Sequence, residues 1–223
     1  TMSQLPNVLV RPDLPPPLDY QRFVLLHVPW QNYLTISDAL PDWPNLRITY
    51  DRGGLQFMTL SPEHERAKYC LGRLLETLAE EFGMQLAPYG SMTFRRADLE
   101  RALEPDQCYW IAHEAQMRGM RHWDPATHPP PDLVIEVEIS RSVLDRIGIY
   151  AALGVPEIWR YDGEALRVEI LQSDRTYQPV EHSPTFPSVP LEEFVRFLQP
   201  QEGVSYLDII RSFREWVRQL PKE

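Results

Sequence analysis

Two acidic residues are the best candidates for chemistry in this sequence. Asp106 follows Pro105 at the start of one predicted strand, and Glu136 lies inside another, strongly apolar strand. Hard divalent cations such as Mg²⁺ bind carboxylate oxygens and keep several of their own waters. A cation held by two acids on neighbouring strands polarises a phosphodiester and lowers the pKa of an attacking water. The pair therefore points to metal-dependent hydrolysis of a phosphodiester bond.

The strand predicted over 133–140 has an acidic face and an apolar face, because side chains alternate along a strand. One face carries Asp132, Val134, Glu136, Glu138 and Ser140, and the other carries Leu133, Ile135, Val137 and Ile139. Acids set this close repel each other unless a cation or protons neutralise them. We therefore expect Glu136, assisted by Glu138, to contribute to a cation site.

Each of these acids also has a structural interpretation. Asp106 could punctuate the chain after Pro105, and Asp132 could simply begin its strand. Glu136 could form a structural salt bridge, because an unpaired carboxylate in an apolar strand is costly. For Glu138 the alternative is a solvated strand position.

A predicted helix should bring further polar side chains towards the acids. It begins at Ser61, a good N-cap, and runs to about Phe82. His64 and Lys68 open a stripe that continues with leucines at spacings of three and four, so this face points inward. An internal catalytic lysine could only be Lys68, because the other lysine is at the C-terminus; its alternative is to cover apolar surface. His64 could equally be a satisfied, partly buried histidine.

The remaining pattern alternates short strands with amphipathic helices. Strands are predicted within 23–30, 46–60 (a hairpin), 84–90, 92–99, 107–113, 133–140, 155–163, 166–171 and 177–182, and helices over 31–40, 61–82, 142–154, 191–199 and 206–220. This order predicts an α+β or mixed α/β domain.

Length and composition predict one domain. The chain has 223 residues, of which 43% are hydrophobic, enough for a sizeable core. Residues 1–20 are rich in proline and are predicted to form an arm. Residues 21–223 would then form a single domain, with a C-terminal helical extension from about 185.

Charge and targeting signals limit the possible partners. The net charge of −10 argues against bulk attraction to nucleic acid, so any function on DNA must depend on a local site, a metal or a partner. We see neither a membrane span nor a signal peptide and expect a cytoplasmic protein. Cys70 and Cys108 are too few for a disulfide scaffold and are predicted to be buried thiols.

One stretch resembles a known family. The run PPDLVIEVEIS, followed by RSVLDRIGIYAALGVPEIWRYDG, resembles the Uma-type restriction endonucleases of the PD-(D/E)XK nuclease superfamily. The resemblance is specific over 131–163 and weaker over the rest of 46–171. It implies a restriction-endonuclease-like mixed β-sheet flanked by helices, and DNA cleavage that depends on Mg²⁺ or Mn²⁺.

By position in that family pattern, Asp106 corresponds to the first acid and Glu136 to the second. Where the superfamily has a lysine two residues after the second acid, this chain has Glu138, a candidate third metal ligand. In this family a basic residue of the following helix can replace the lysine, and that position is Arg146; Lys68 is the other candidate. Arginine can hold a phosphate oxygen but stays protonated and is a poor proton acceptor. The structural alternative for Arg146 is a surface charge beside Asp145.

Three functional hypotheses follow. The first is a metal-dependent DNA endonuclease, which would often be a dimer because two strands require two active sites. The second is a catalytically inactive protein of the same fold that binds DNA or another protein. The third is a homodimeric interaction module that uses Phe213 and Trp216 of the last helix, although this helix could equally pack back on its own domain.

Overall fold

The computed structural model describes residues 21–40, 46–139, 142–199 and 202–221; the predicted proline-rich arm lies outside them. The strands are β1 (Arg22–Leu25), β2 (Leu46–Asp51), β3 (Gly54–Thr59), β4 (Ala87–Pro88), β5 (Phe94–Arg96), β6 (Arg101–Leu103), β7 (Gln107–Trp110), β8 (Leu133–Val137), β9 (Glu157–Tyr161), β10 (Leu166–Leu171) and β11 (Tyr177–Val180). The helices are α1 (Trp30–Ala39), α2 (Pro62–Glu81), α3 (Glu114–Met117), α4 (Arg146–Leu153), α5 (Leu191–Val195) and α6 (Tyr206–Val217). The mixed α and β fold that the sequence predicts is confirmed.

The strands form two sheets. The first has the order β1-β3-β2-β6-β5 and is antiparallel throughout. The second has the order β11-β10-β9-β8-β7-β4, and β8 and β9 are its parallel pair. Parallel neighbours need a crossover connection, which α4 supplies. Gly154 ends α4 with a φ of 83°, a conformation that favours glycine.

The six-stranded sheet lies between two apolar layers. On one side α2, α5 and α6 pack over the apolar face of β8, which consists of Leu133, Ile135 and Val137. On the other side α4 packs on Val134 of β8 and Ile158 of β9. The alternation predicted for β8 is therefore confirmed, and Glu136 points to the α4 side.

Helix α2 begins and faces inward as predicted. The Ser61 hydroxyl accepts a hydrogen bond from the backbone N–H of His64 at 3.1 Å. His64 is only 1% exposed and shares the inward face with Leu71 and Leu75. Cys70 and Cys108 are buried and free, also as predicted.

Helix α6 packs back on its own domain. Phe213 is fully buried and Trp216 nearly so, and both rings lie against Phe197. Arg214 and Arg218 of α6 bind the Glu81 carboxylate at the end of α2. The interaction module that would expose Phe213 and Trp216 is therefore not supported by this arrangement. None of the helices described has both the length and the apolar character needed to cross a bilayer.

Several predicted elements differ from the structure in length. The strands expected within 84–90, 92–99 and 133–140 are reduced to β4, β5 and β8, and the helix expected from 142 begins only at Arg146, after its Asp145 cap. Strand β6 and helix α3 were not predicted. They have three and four residues, fewer than are needed to recognise an apolar period in the sequence.

Candidate functional site

Neighbouring strands bring Asp106 and Glu136 together. Strand β7 runs antiparallel to β8 with Gln107 opposite Ile135. One step further along this register, Asp106 stands opposite Glu136. Both carboxylates are nearly buried, with 3% and 6% of their residues exposed. The structure thus assembles the acidic pair that the sequence suggested.

Asp106 is held by groups from three elements. Its Oδ2 accepts a hydrogen bond from the backbone N–H of Val137 at 2.8 Å and lies 3.2 Å from Nε2 of His64. Arg47 Nε of β2 lies 4.0 Å from Oδ1. Burial opposes ionisation of Asp106, but His64, Arg146 and the Val137 N–H outweigh it and hold the pKa of Asp106 below its ordinary value. The carboxylate is therefore ionised at neutral pH.

Glu136 is clamped by two side chains of α4. Arg146 donates from Nε to Oε2 at 3.1 Å and from Nη2 to Oε1 at 2.6 Å, and the Tyr150 hydroxyl also donates to Oε1. Residues four apart share a helix face, so α4 presents Arg146 and Tyr150 together. The structural alternative of a surface charge beside Asp145 is wrong for Arg146, whose side chain is only 11% exposed.

Arg146 also binds two groups outside the acidic pair. Its Nη1 donates to the Thr49 hydroxyl at 2.8 Å, and its Nη2 donates to the Glu104 carbonyl oxygen at 2.7 Å. Thr49 belongs to β2, in the other sheet, and Glu104 immediately follows β6. The guanidinium therefore joins the two sheets at the point where the acids meet.

The electrostatics of this cluster depend strongly on burial. Burial raises the pKa of Glu136, and the charge of Asp106 adds to that rise, whereas Arg146 and Tyr150 oppose it. Burial acts to lower the pKa of Arg146, but the charges of Glu136, Tyr150 and Asp106 and the hydrogen bond to Glu136 together outweigh it and raise that pKa. Burial and Glu136 together raise the pKa of Tyr150 well above its ordinary value. Tyr150 therefore keeps its proton and Arg146 keeps its charge.

The other two predicted site residues have separate partners. The Glu138 carboxylate accepts from Arg160 at 2.6 and 2.9 Å, and Arg160 also binds Glu169 at 2.7 Å. Lys68 Nζ lies 3.5 Å from Oε2 of Glu65, one turn earlier on α2. The Glu138 and Lys68 contacts are thus different from those that join Asp106, Glu136 and Arg146.

Carboxylate oxygens are suitable donors for Mg²⁺ or Mn²⁺, but this arrangement of them does not fit a divalent ion. Arg146 engages both oxygens of Glu136, and Glu138 is paired with Arg160. Within the described ranges, no group of three or more His, Cys, Asp or Glu side chains could hold a metal ion. A metal at Glu136 would first have to displace a buried, charged arginine.

A cleft of about 360 Å³ adjoins the acidic centre. Its lining includes Glu138, Ser142 and three arginines, Arg146, Arg160 and Arg167. Guanidinium groups suit the planar, bidentate recognition of phosphate. The cleft therefore offers three guanidinium groups, each already paired with a carboxylate, and its lining also includes Asp145.

Sequence reasoning missed several contributors to the centre. Tyr150 could have been found, because it follows Arg146 by four positions in a predicted helix. Arg47 and Thr49 come from β2 and reach the centre only because the two sheets meet there. No local pattern marks those two residues.

Comparison with known proteins identifies a family and a similar fold. The model of the Uma2 family, described as a putative restriction endonuclease, matches residues 30–202. A crystal structure of a putative nuclease belonging to DUF820 from Anabaena variabilis superposes with a TM-score of 0.50 and 14% identity, covering 84% of this chain and 99% of that one. At this identity the likeness concerns the fold. No curated protein matches the chain.

Proposed function

Because this chain belongs to the Uma2 family of putative restriction endonucleases, we propose that it is an endonuclease that hydrolyses phosphodiester bonds in DNA. The observation that carries the proposal is the meeting of Asp106 and Glu136 from adjacent strands, next to a cleft lined with arginines. The family match covers the strands and helices that build this centre. We place the reaction at Asp106 and Glu136.

The residues of the centre have separate proposed roles. Asp106 is kept ionised and is oriented by the Val137 N–H and His64. Arg146 binds Glu136, its charge acts on Asp106, and it lines the cleft, where it would hold a phosphate oxygen. Glu138 and Lys68 remain candidates for assisting roles, and both would have to leave their present partners.

Nuclease families of this kind generally use divalent metals, and we propose Mg²⁺ or Mn²⁺ as the cofactor. In the structure Arg146 engages both oxygens of Glu136. Metal binding at Glu136 would therefore require that Glu136 is first released from Arg146.

DNA binding would be local and not a property of the whole surface. The net charge of −10 repels a polyanion, so contacts must come from patches such as the cleft with Arg160 and Arg167. Cutting both strands of a duplex takes two centres, and we therefore propose a homodimer, which sedimentation would detect as twice the chain mass.

The cleavage test uses supercoiled plasmid with Mg²⁺, Mn²⁺ or a chelator. We expect wild type to nick or linearise the plasmid with one of the ions, and Asp106→Asn and Glu136→Gln each to lose at least ~100-fold of that rate. Asp132→Asn is the matched control, because its carboxylate binds His113 away from the centre and should leave the rate unchanged. Equal cleavage by wild type and both centre variants would rule the assignment out.

A second candidate function is a catalytically inactive nuclease fold that binds DNA or another protein. The specific observation in its favour is the pairing of Glu136 with Arg146, which leaves the acid no free charge. On this alternative, wild type would retard a DNA duplex in a gel shift without cleaving it under any ion. Cleavage that depends on Glu136 would exclude it.

A further inference from the structure

The guanidinium of Arg146 has the surroundings that a bound cation would have. It is nearly buried, it binds both oxygens of Glu136, and its charge also acts on Asp106. Two oxygens from other segments also accept hydrogen bonds from it, the Thr49 hydroxyl oxygen and the Glu104 carbonyl oxygen. Carboxylate, hydroxyl and carbonyl oxygens are the donor types that hard cations take in proteins.

Two arginines already offset most of the negative charge of the cluster without an added ion. Arg146 offsets Glu136, and Arg47 lies 4.0 Å from both Asp106 and Glu104. A divalent ion would add two positive charges to a buried region that already contains two arginines. Since buried charges are costly unless paired, the ion and Arg146 cannot both neutralise Glu136.

We propose that Arg146 is the resident cation of this centre: its guanidinium takes the place of a divalent ion at Glu136, and Mg²⁺ or Mn²⁺ binds there only when Arg146 is displaced. This inference depends on the proposed location of the active centre but not on cleavage. It changes the role of Arg146 from a substitute for the missing lysine to a competitor of the metal.

The fold favours the arginine in this competition. Arg146 is the first residue of α4, and the Asp145 side chain caps that helix by accepting from the backbone N–H of Gly148. The cation is therefore tethered beside Glu136, at an effective concentration that a free ion has to exceed. A guanidinium also remains protonated throughout the physiological pH range.

Calorimetric titration with Mn²⁺ tests the proposal on three proteins. Wild type should show no saturable uptake that depends on Glu136. Arg146→Met, which keeps an apolar stem of similar length, should bind one Mn²⁺ per chain at least ~10-fold more tightly than any Mn²⁺ uptake by wild type. Arg118→Met is the matched control: it removes the arginine paired with Glu114, outside the centre, and should behave as wild type.

Adding Glu136→Gln to Arg146→Met should abolish the gained site. Thermal unfolding gives an independent measurement: at a hundredfold excess over its Kd, Mn²⁺ should raise the Tm of Arg146→Met by roughly 5–10 °C and leave wild type unchanged. If Arg146→Met does not fold, Arg146→Lys should still bind Mn²⁺ more tightly than wild type, because an ammonium cannot form the two-pronged pair.

The proposal is overturned if wild type binds one Mn²⁺ at Glu136 as tightly as the Arg146 variants do. It is also overturned if the gained site survives Glu136→Gln. These outcomes are separable from the proposed function. Cleavage by a wild type that binds metal tightly would support the endonuclease and reject the resident cation. Mn²⁺ uptake by Arg146→Met, with no DNA cleavage by wild type or the variants, would support the resident cation and reject the endonuclease.

Discussion

Glu136 and Glu138 are two residues apart in the same stretch of chain, and each forms an ion pair with an arginine. The side chains of the Arg146–Glu136 pair are 11% and 8% exposed, and those of the Arg160–Glu138 pair are 22% and 25% exposed. Arg160 stands opposite Glu136 in the β8–β9 register, yet its guanidinium binds Glu138 and Glu169. The first pair joins α4 to β8, and Arg146 also reaches Thr49 of the other sheet, whereas the second pair joins β9 to the residue that follows β8.

The comparison shows that burial, more than pairing geometry, decides what an ion pair contributes. A partly exposed pair is screened by water and gains little stability. A buried pair gains little from its formation but costs much when one partner is removed, because the other charge is left without solvent. We therefore expect the chain to tolerate change at Glu138 but not at Arg146.

The largest effect is expected for Arg146→Ala. It leaves Glu136 buried without its cation and should lower the free energy of unfolding by about 3–5 kcal/mol, measured by urea denaturation. Glu138→Ala is the control on the partly exposed pair, since it leaves Arg160 paired with Glu169, and it should cost no more than ~1 kcal/mol. Equal losses from the two variants would contradict the ranking by burial.

A smaller effect is expected for Tyr150→Phe. The Tyr150 hydroxyl donates to the charged Glu136, and a hydrogen bond to a charged group contributes about 1.5–3 kcal/mol. Tyr177→Phe is the matched control, because its hydroxyl donates to the neutral carbonyl of Val155 and should cost about 1 kcal/mol. If the control loses as much as Tyr150→Phe, the charge on Glu136 does not strengthen the bond.

The smallest effect is expected for Glu138→Gln, at about 1 kcal/mol or less. Because this pair is partly exposed, the difference from wild type should shrink when urea denaturation is repeated in about 1 M salt, where screening acts within roughly 3 Å. A loss that is large and insensitive to salt would place Glu138 energetically with Glu136, which would strengthen its case as a third ligand.

The sequence could predict those parts of the molecule that depend on local rules. The apolar alternation of β8 and the Ser61 cap of α2 depend only on residues that are close in sequence. Both predictions are confirmed. The acidic pair could be predicted because two strand assignments and a family resemblance agreed on it. The contacts of Arg146 with Thr49 and Glu104 could not, because they join segments whose proximity depends on how two sheets pack.

Glu138 illustrates a second limit. Alternation correctly places it on the side of Glu136. However, β8 ends at Val137, and the backbone N–H of Glu138 donates a hydrogen bond to the carbonyl oxygen of Tyr161. The ion-pair partner of Glu138 depends on the position of Arg160 on β9, and the sequence pattern of 133–140 cannot predict that position. Which face a side chain occupies is a local property, whereas which charge it meets is not.

The two-faced character of β8 also ties the assembly of the centre to correct folding. A slip of one residue against its neighbours would turn Glu136 towards the leucines of α2 and bring Ile135 among the arginines. In such a misaligned chain the Glu136 carboxylate would be buried without a partner, and the apolar Ile135 would lie among charged groups. The register of β8 that buries its apolar face is therefore also the register that places Glu136 opposite Asp106.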